Sequence, residues 1–205
     1  MVGTTSEAQS IAESDAPVSR RWAQRGRGTG EAALVRAARR GSEAAVEELF
    51  DRHWDAAYRA ALLITGDRAA AEDIAQESFL AALRALPRFD IRRPLRPWLH
   101  RIVVNRAIDW ARARALRAEV GGEAMLATAP GAGEPRAPAG AIDEDLVAAL
   151  SRLGVEQRAV VVMRYLLDLT PGEIARALDL PRGTVNSRLR RGLDALGEDL
   201  GSGRP

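Results

Sequence analysis

Apolar residues recur at helical spacing along most of the chain, and glycine or proline interrupts them where a helix should stop. The stretch from Glu31 to Arg40 reads as a first helix, closed at Gly41. Ser42 can cap a second helix, whose Val46, Leu49, Phe50, Trp54, Ala57 and Tyr58 fall on one face. That face is a core face, and its aromatics are read as packing residues. Gly66 and Asp67 break the pattern. A third helix is predicted from Ala69 to Ala85, carrying Ile74, Phe79, Leu80 and Leu83, with Pro87 ending it. Two prolines make the segment from Arg88 to Pro97 irregular. A fourth helix opens at Pro97 and Trp98 and runs to about Arg117, proline being favourable in a first helical turn.

The remainder divides by composition. Residues 1–30 hold almost no large apolar side chains apart from Trp22, cannot bury a core, and are expected to be a disordered extension. Residues 118–141 form the linker, and its Gly-, Pro- and Ala-rich stretch 119–141, 23 residues, extends to about 75 Å, so the units it joins need not touch. Residues 142–200 turn helical again, with a short tail at 201–205. Asp143, Glu144 and Asp145 are read as helix-start acids rather than a metal site.

Within that last unit, Leu169 to Arg191 has the pattern of a helix-turn-helix. Thr170 and Glu173 make a capping box, and Pro171 occupies the first helical position. Ile174, Ala175 and Leu178 form the buried stripe of a short helix. Asp179 falls at the turn, where a left-handed residue is expected. Val185 and Leu189 of the next helix face inward. Arg182, Thr184, Asn186, Ser187, Arg188, Arg190 and Arg191 are left mainly for the outside, a set suited to base edges and phosphates.

Composition narrows the fold. Hydrophobic residues are 46% and aromatics only 4%, so the core is built from Ala, Leu and Val, which favours an all-α chain of two small helical domains. Cysteine is absent and there are only two histidines, which excludes thiolate chemistry and leaves no metal or cofactor site in view. No apolar run reaches membrane-spanning length, and the N-terminus lacks a signal-peptide core, so the chain reads as cytoplasmic, without membrane insertion.

Charge then points to a ligand. All 30 basic residues are arginine. Residues 31–83 carry six Arg against ten acids, residues 84–117 ten Arg against two, residues 143–180 four against seven, and residues 182–191 four against none. The charge alternates acidic, basic, acidic, basic, and two separate cationic stripes suit nucleic acid.

At this point a family becomes legible. Pro181 to Arg191 resembles the recognition helix of extracytoplasmic-function (ECF) sigma factors of the sigma-70 family. Glu156 to Tyr165 and Leu169 to Ala175 fit the same domain. Ala71 to Leu80 looks like that family's polymerase-binding helix, and Arg96 to Asp109 like its promoter-melting and −10 segment. The match spans roughly residues 31–117 and 142–200. It implies a region-2-like domain that binds the clamp helices of the polymerase largest subunit through Asp73, Gln76, Glu77, Phe79 and Leu80. It implies −10 binding and melting by Arg92, Arg93, Arg96, Trp98, Asn105, Arg106, Asp109 and Arg112, with Trp98 either a stacking platform or a core anchor. Asp109 would accept from cytosine or orient an arginine. A region-4-like domain would read the −35 element and lean on the polymerase flap. Core polymerase, promoter DNA and an anti-sigma factor are the implied partners, and catalysis is left to the polymerase. Asp179 stands where the family usually has glycine, and Asn186 where lysine is common. An autonomous helix-turn-helix regulator is the alternative, but it leaves the basic stripe at 84–117 unused. A nuclease would need a metal cluster or general base that the residues do not supply.

Overall fold

The computed structural model describes residues 29–119 and 142–202, and every regular element within them is helical. The expectations for the N-terminal extension, for most of the linker and for the end of the tail lie outside the described residues. Four helices form the first half: α1 (Thr29–Arg39), α2 (Glu43–Thr65), α3 (Arg68–Ala85) and α4 (Leu95–Glu119). A single 3-10 turn, Leu86–Arg88, follows α3.

The boundaries have local causes. Ser42 Oγ accepts from the Ala45 amide at 3.3 Å and starts α2. Gly66, at φ +70°, ends it, and its N–H donates to Leu62 O at 2.7 Å. Asp67 then caps α3 through the Ala70 amide at 3.0 Å. Helix α4 opens at Leu95, two residues before the predicted Pro97. Pro97 therefore lies inside the first turn, where its missing N–H would have had no intrahelical acceptor.

An aromatic cluster fills the centre of this half. Phe50 stands 4.8 Å, centroid to centroid, from both Trp54 and Phe79. Trp54 is 1% exposed, and Val103, Val104 and Ala107 of α4 close over the group. Helix α1 secures the loop ahead of α4. Arg39 donates to Leu86 O at 2.9 Å and also to Phe89 O, while Glu31 accepts from the Leu95 amide at 3.4 Å and meets His53 Nε2 at 3.0 Å. Val35, Leu49, Leu86, Phe89 and Leu95 pack between them as a small second cluster.

The second half holds α5 (Glu144–Ser151), α6 (Val155–Tyr165), α7 (Pro171–Leu178) and α8 (Arg182–Ser202). Asp143 caps α5 by accepting from the Asp145 and Leu146 amides, the ordinary role expected for the acidic trio. The capping box at α7 forms in full: Thr170 Oγ1 accepts from the Glu173 amide, and Glu173 accepts from the Thr170 amide at 2.8 Å. Asp179 adopts φ 53°, ψ 50°, the left-handed turn the pattern required.

The two halves touch, although a linker of that length did not require it. Helices α5 and α6 pack on α2, and α6 also packs on α4. Their apolar side chains merge into one core with those of α2, α3 and α4. Arg158 of α6, 8% exposed, reaches across to donate to Ile64 O at 2.7 Å. It also donates to Ser151 O at 3.0 Å and Leu153 O at 2.9 Å, so one guanidinium ties the end of α2 to the α5–α6 turn. Burial lowers its pKa, and the three carbonyls supply acceptors in place of water. Gly66 sits at the same seam. A Cβ there would stand 2.9 Å from Ser151 Oγ, so glycine serves both the left-handed turn and the close approach.

Candidate nucleic-acid and polymerase interface

Helix α8 is anchored by Val185 and Leu189, which are 0% and 9% exposed. The opposite side carries Arg182, Asn186, Arg190 and Arg191 in solvent, and no acid lies between Arg182 and Arg191. Thr184 and Ser187 are half-buried, and Ser187 Oγ donates to Thr184 O at 2.9 Å. Arg188 departs from the expected outward set. Its side chain is 20% exposed, and its Nη1 stands 2.7 Å from Glu156 Oε2. That contact is a charge pair rather than an aligned hydrogen bond, since Nη1 has no hydrogen-bond acceptor.

On α4, Asn105 and Arg106 are half-buried and Asp109 and Arg112 are exposed. Asp109 Oδ1 lies 4.0 Å from Arg112 Nη1, which favours the arginine-orienting reading. Arg112 does not stand free: its Nε donates to Glu156 Oε1 at 2.8 Å, and its Nη2 meets the same oxygen. Trp98 is half-buried and its ring lies 4.7 Å from that of Phe89, the geometry of a core anchor. Arg96 is half-buried, whereas Arg92 and Arg93 are exposed on the loop before α4. Arg92 donates to both carboxylate oxygens of Asp90 at 3.0 Å, and this contact holds the Asp90 carboxyl down to about 2.

On α3, Asp73, Gln76, Glu77 and Leu80 follow a spacing of three, one and three, and so form one stripe. Asp73 is half-buried and the other three are exposed, with Leu80 52% open. Phe79 does not belong to this surface. It is 6% exposed and packs on Phe50 and Trp54, because residues 75, 79 and 82 line the core side of the helix. Glu77 Oε2 accepts from Arg106 Nη1 at 2.7 Å, so the acidic stripe of α3 borders the basic stripe of α4.

Three groups at or near these surfaces escaped the sequence pattern. Glu156 and Arg158 sit in a segment that reads as ordinary amphipathic helix, and only the packing of α6 on α2 and α4 shows their use. The His53–Glu31 pair joins residues 22 apart, and no local spacing marks it.

Comparison with known proteins agrees with this geometry. The Sigma-70 region 2 family matches residues 49–117, and the Sigma-70 region 4 family matches residues 143–196. The chain is 32% identical over 180 residues to the ECF RNA polymerase sigma factor SigW of Bacillus subtilis, covering 81% of this chain and 94% of that protein. It is 36% identical over 173 residues to the ECF RNA polymerase sigma factor SigL of Mycobacterium tuberculosis, covering 83% of this chain and 91% of that one. The structure of CnrH in complex with the cytosolic domain of CnrY matches with a TM-score of 0.63 at 27% identity, over 85% of this chain and 99% of that one. An all-helical pair of units whose second ends in a cationic helix-turn-helix, matched along both by these relatives, is a member of the sigma-70 family: the chain is an RNA polymerase sigma factor of the ECF type.

Proposed function

We propose that the first helical unit docks on core polymerase through Asp73, Gln76, Glu77 and Leu80 while the flank of α4 and the loop before it engage the −10 element. Helix α8 would read the −35 element. The observation that carries this division is the border between α3 and α4. An exposed stripe of acids and one leucine suits a protein partner, the arginine-rich helix beside it suits DNA, and the Glu77–Arg106 contact joins them. An autonomous DNA-binding regulator would need only α5 to α8. Extruding a promoter base costs a few kcal/mol, and the arginines of residues 92–112 are the groups that would offset it.

No helix among the described residues is long and apolar enough to cross a membrane, in keeping with action on the chromosome in the cytoplasm. The polymerase would form every phosphodiester bond, and this chain would select the site. An anti-sigma factor is the expected regulatory partner, and the similar protein CnrH is itself found in complex with another protein, the cytosolic domain of CnrY.

In vitro transcription with core polymerase and a genomic fragment library, with start sites sequenced, tests the reading. New starts preceded by two shared elements are expected. Core enzyme that neither binds the chain nor gains a start site would sink it. Arg190→Ala is expected to weaken promoter binding by ~1–3 kcal/mol if Arg190 reads a base, and to lower the salt slope by about one if it holds a phosphate.

A further inference from the structure

Helix α1 lies ahead of the segment matched by the Sigma-70 region 2 family, which begins at residue 49, and none of its side chains belongs to the surfaces assigned above. Its bonds nonetheless converge on one target, the loop from Leu86 to Leu95 that carries Arg92 and Arg93. Arg39, in the last turn of α1, donates from Nε to Leu86 O at 2.9 Å and from Nη2 to Phe89 O. One planar guanidinium thus grips two carbonyls at the start of the loop. Glu31, in the first turn of α1, holds the other end: its Oε2 accepts from the Leu95 amide at 3.4 Å. That amide opens α4 and has no intrahelical acceptor, so the carboxylate is a cap supplied by another helix, and its charge suits a helix start. Its Oε1 meets buried His53 of α2 at 3.0 Å, and this bond keeps the Glu31 carboxyl below its ordinary range. Contacts within the loop are local, Arg92 on Asp90 and the Arg93 amide on Asp90 O at 2.9 Å, and shape its tip without tying it to the fold. An apolar pocket of about 20 Å³, with Leu86, Leu95 and Trp98 in its lining, leaves slack in the packing beneath.

From this arrangement we propose that α1 is a brace for promoter selection: Arg39 and Glu31 are positioning residues that hold the two ends of the loop before α4 where it receives the −10 strand. The inference rests on the −10 reading of that loop. Both residues act through the loop's backbone, so its side chains stay available to the promoter whatever their identity. The energetic reason is preorganisation. Extruding a base costs a few kcal/mol, and a loop that must also be ordered on binding has less interaction energy left to offset that cost. A loosely held loop also adjusts to a wrong base, so discrimination is lost before binding is. Helix α1 packs on α2 and on the 3-10 turn, which confines its influence to the −10 side of the first unit.

The test uses the full chain with core polymerase, on a promoter mapped in the transcription assay and on the same promoter with single substitutions in its downstream element. Open complexes are read by the permanganate reactivity of unpaired thymines, and the ratio between the two promoters measures discrimination. An inactive fraction of protein cancels from that ratio, so a merely structural loss does not move it. Arg39→Met should lower the ratio roughly three- to tenfold, the effect of losing one or two hydrogen bonds. Arg39→Lys should recover part of it, because an ammonium does not reproduce the planar fork. Glu31→Ala, which releases the other end of the loop, should lower the ratio in the same direction. Binding to core polymerase, and to a duplex holding the upstream element alone, should stay at the wild-type level in each variant. Hydrogen exchange without DNA should quicken across residues 86–95 and not in α8. An unchanged ratio in both Arg39→Met and Glu31→Ala, or an equal loss of core and upstream-duplex binding, overturns the brace. If the wild-type chain directs no polymerase start, the promoter reading fails instead, and hydrogen exchange still reports whether α1 holds the loop.

Discussion

Replacing Arg158 by methionine removes a buried cation from the seam while keeping most of the side-chain volume. The wild-type guanidinium satisfies Ile64 O, Ser151 O and Leu153 O, and it is 8% exposed. Ile64 O belongs to the last turn of α2, whose carbonyls have no intrahelical partner, so its bond from Arg158 is not replaced locally. A hydrogen bond to a charged group contributes ~1.5–3 kcal/mol, and a carbonyl left buried costs ~1–3 kcal/mol. The three bonds share one donor and do not add, and desolvation of the arginine offsets part of their gain. A net loss of about 3 kcal/mol follows, which at a urea slope of ~2 kcal/mol/M moves the midpoint down by roughly 1–2 M.

The assay separates the halves, because all four tryptophans, at positions 22, 54, 98 and 110, precede the second unit. Tryptophan emission reports the first unit and far-ultraviolet circular dichroism reports both. In the wild type the two signals should unfold together, since the core is continuous across the seam. In Arg158→Met the circular dichroism should begin to fall before the emission changes. Arg158→Lys should recover only part of the loss, because an ammonium cannot span three carbonyls as a planar fork does. A midpoint within about 0.3 M of wild type for Arg158→Met would refute the reasoning.

Acid should destabilise the fold in a defined window. His100 is fully buried, its ring nitrogens have no hydrogen-bond partners, and burial together with the charges of Arg96 and His53 pushes its pKa well below 6.5. The unfolded chain binds a proton that folded His100 refuses, so stability is whole above pH ~6.5 and falls by up to about 1.4 kcal/mol per pH unit below it. Urea midpoints between pH 7 and 5 measure this, and His100→Leu should flatten the curve. The Glu31 carboxyl, held low by its hydrogen bond from His53, adds stability that is present above the ordinary carboxylate range and disappears as pH falls through it. The double variant Asp73→Arg with Glu77→Arg should lose co-purification with core polymerase while keeping its circular dichroism, since both side chains lie outside the core. Normal co-purification would remove α3 from the docking surface. Thr170→Ala should cost ~1 kcal/mol in urea unfolding by removing one half of the capping box, and an unchanged midpoint would show that α7 is held by packing alone.

Local rules determined much of this protein from its sequence. The Ser42 cap, the Thr170–Glu173 box and the left-handed Asp179 all depend on residues a few positions apart, and each forms as the pattern required. The cationic outer face of α8 was legible for the same reason, because Val185 and Leu189 fix which side turns inward. What needed the fold was every relation between distant segments. Helical period counted Phe79 and Leu80 among the apolar positions of α3, the family resemblance placed both on the binding surface, and only the packing of α2 against α3 buried one and exposed the other. Glu156 and Arg158 read as ordinary charged helix positions, and Arg112 and Arg188 as DNA contacts. Their partners are set by how α6 and α8 lie on the first unit, and that placement comes from non-local burial of apolar area, which no short window of sequence encodes.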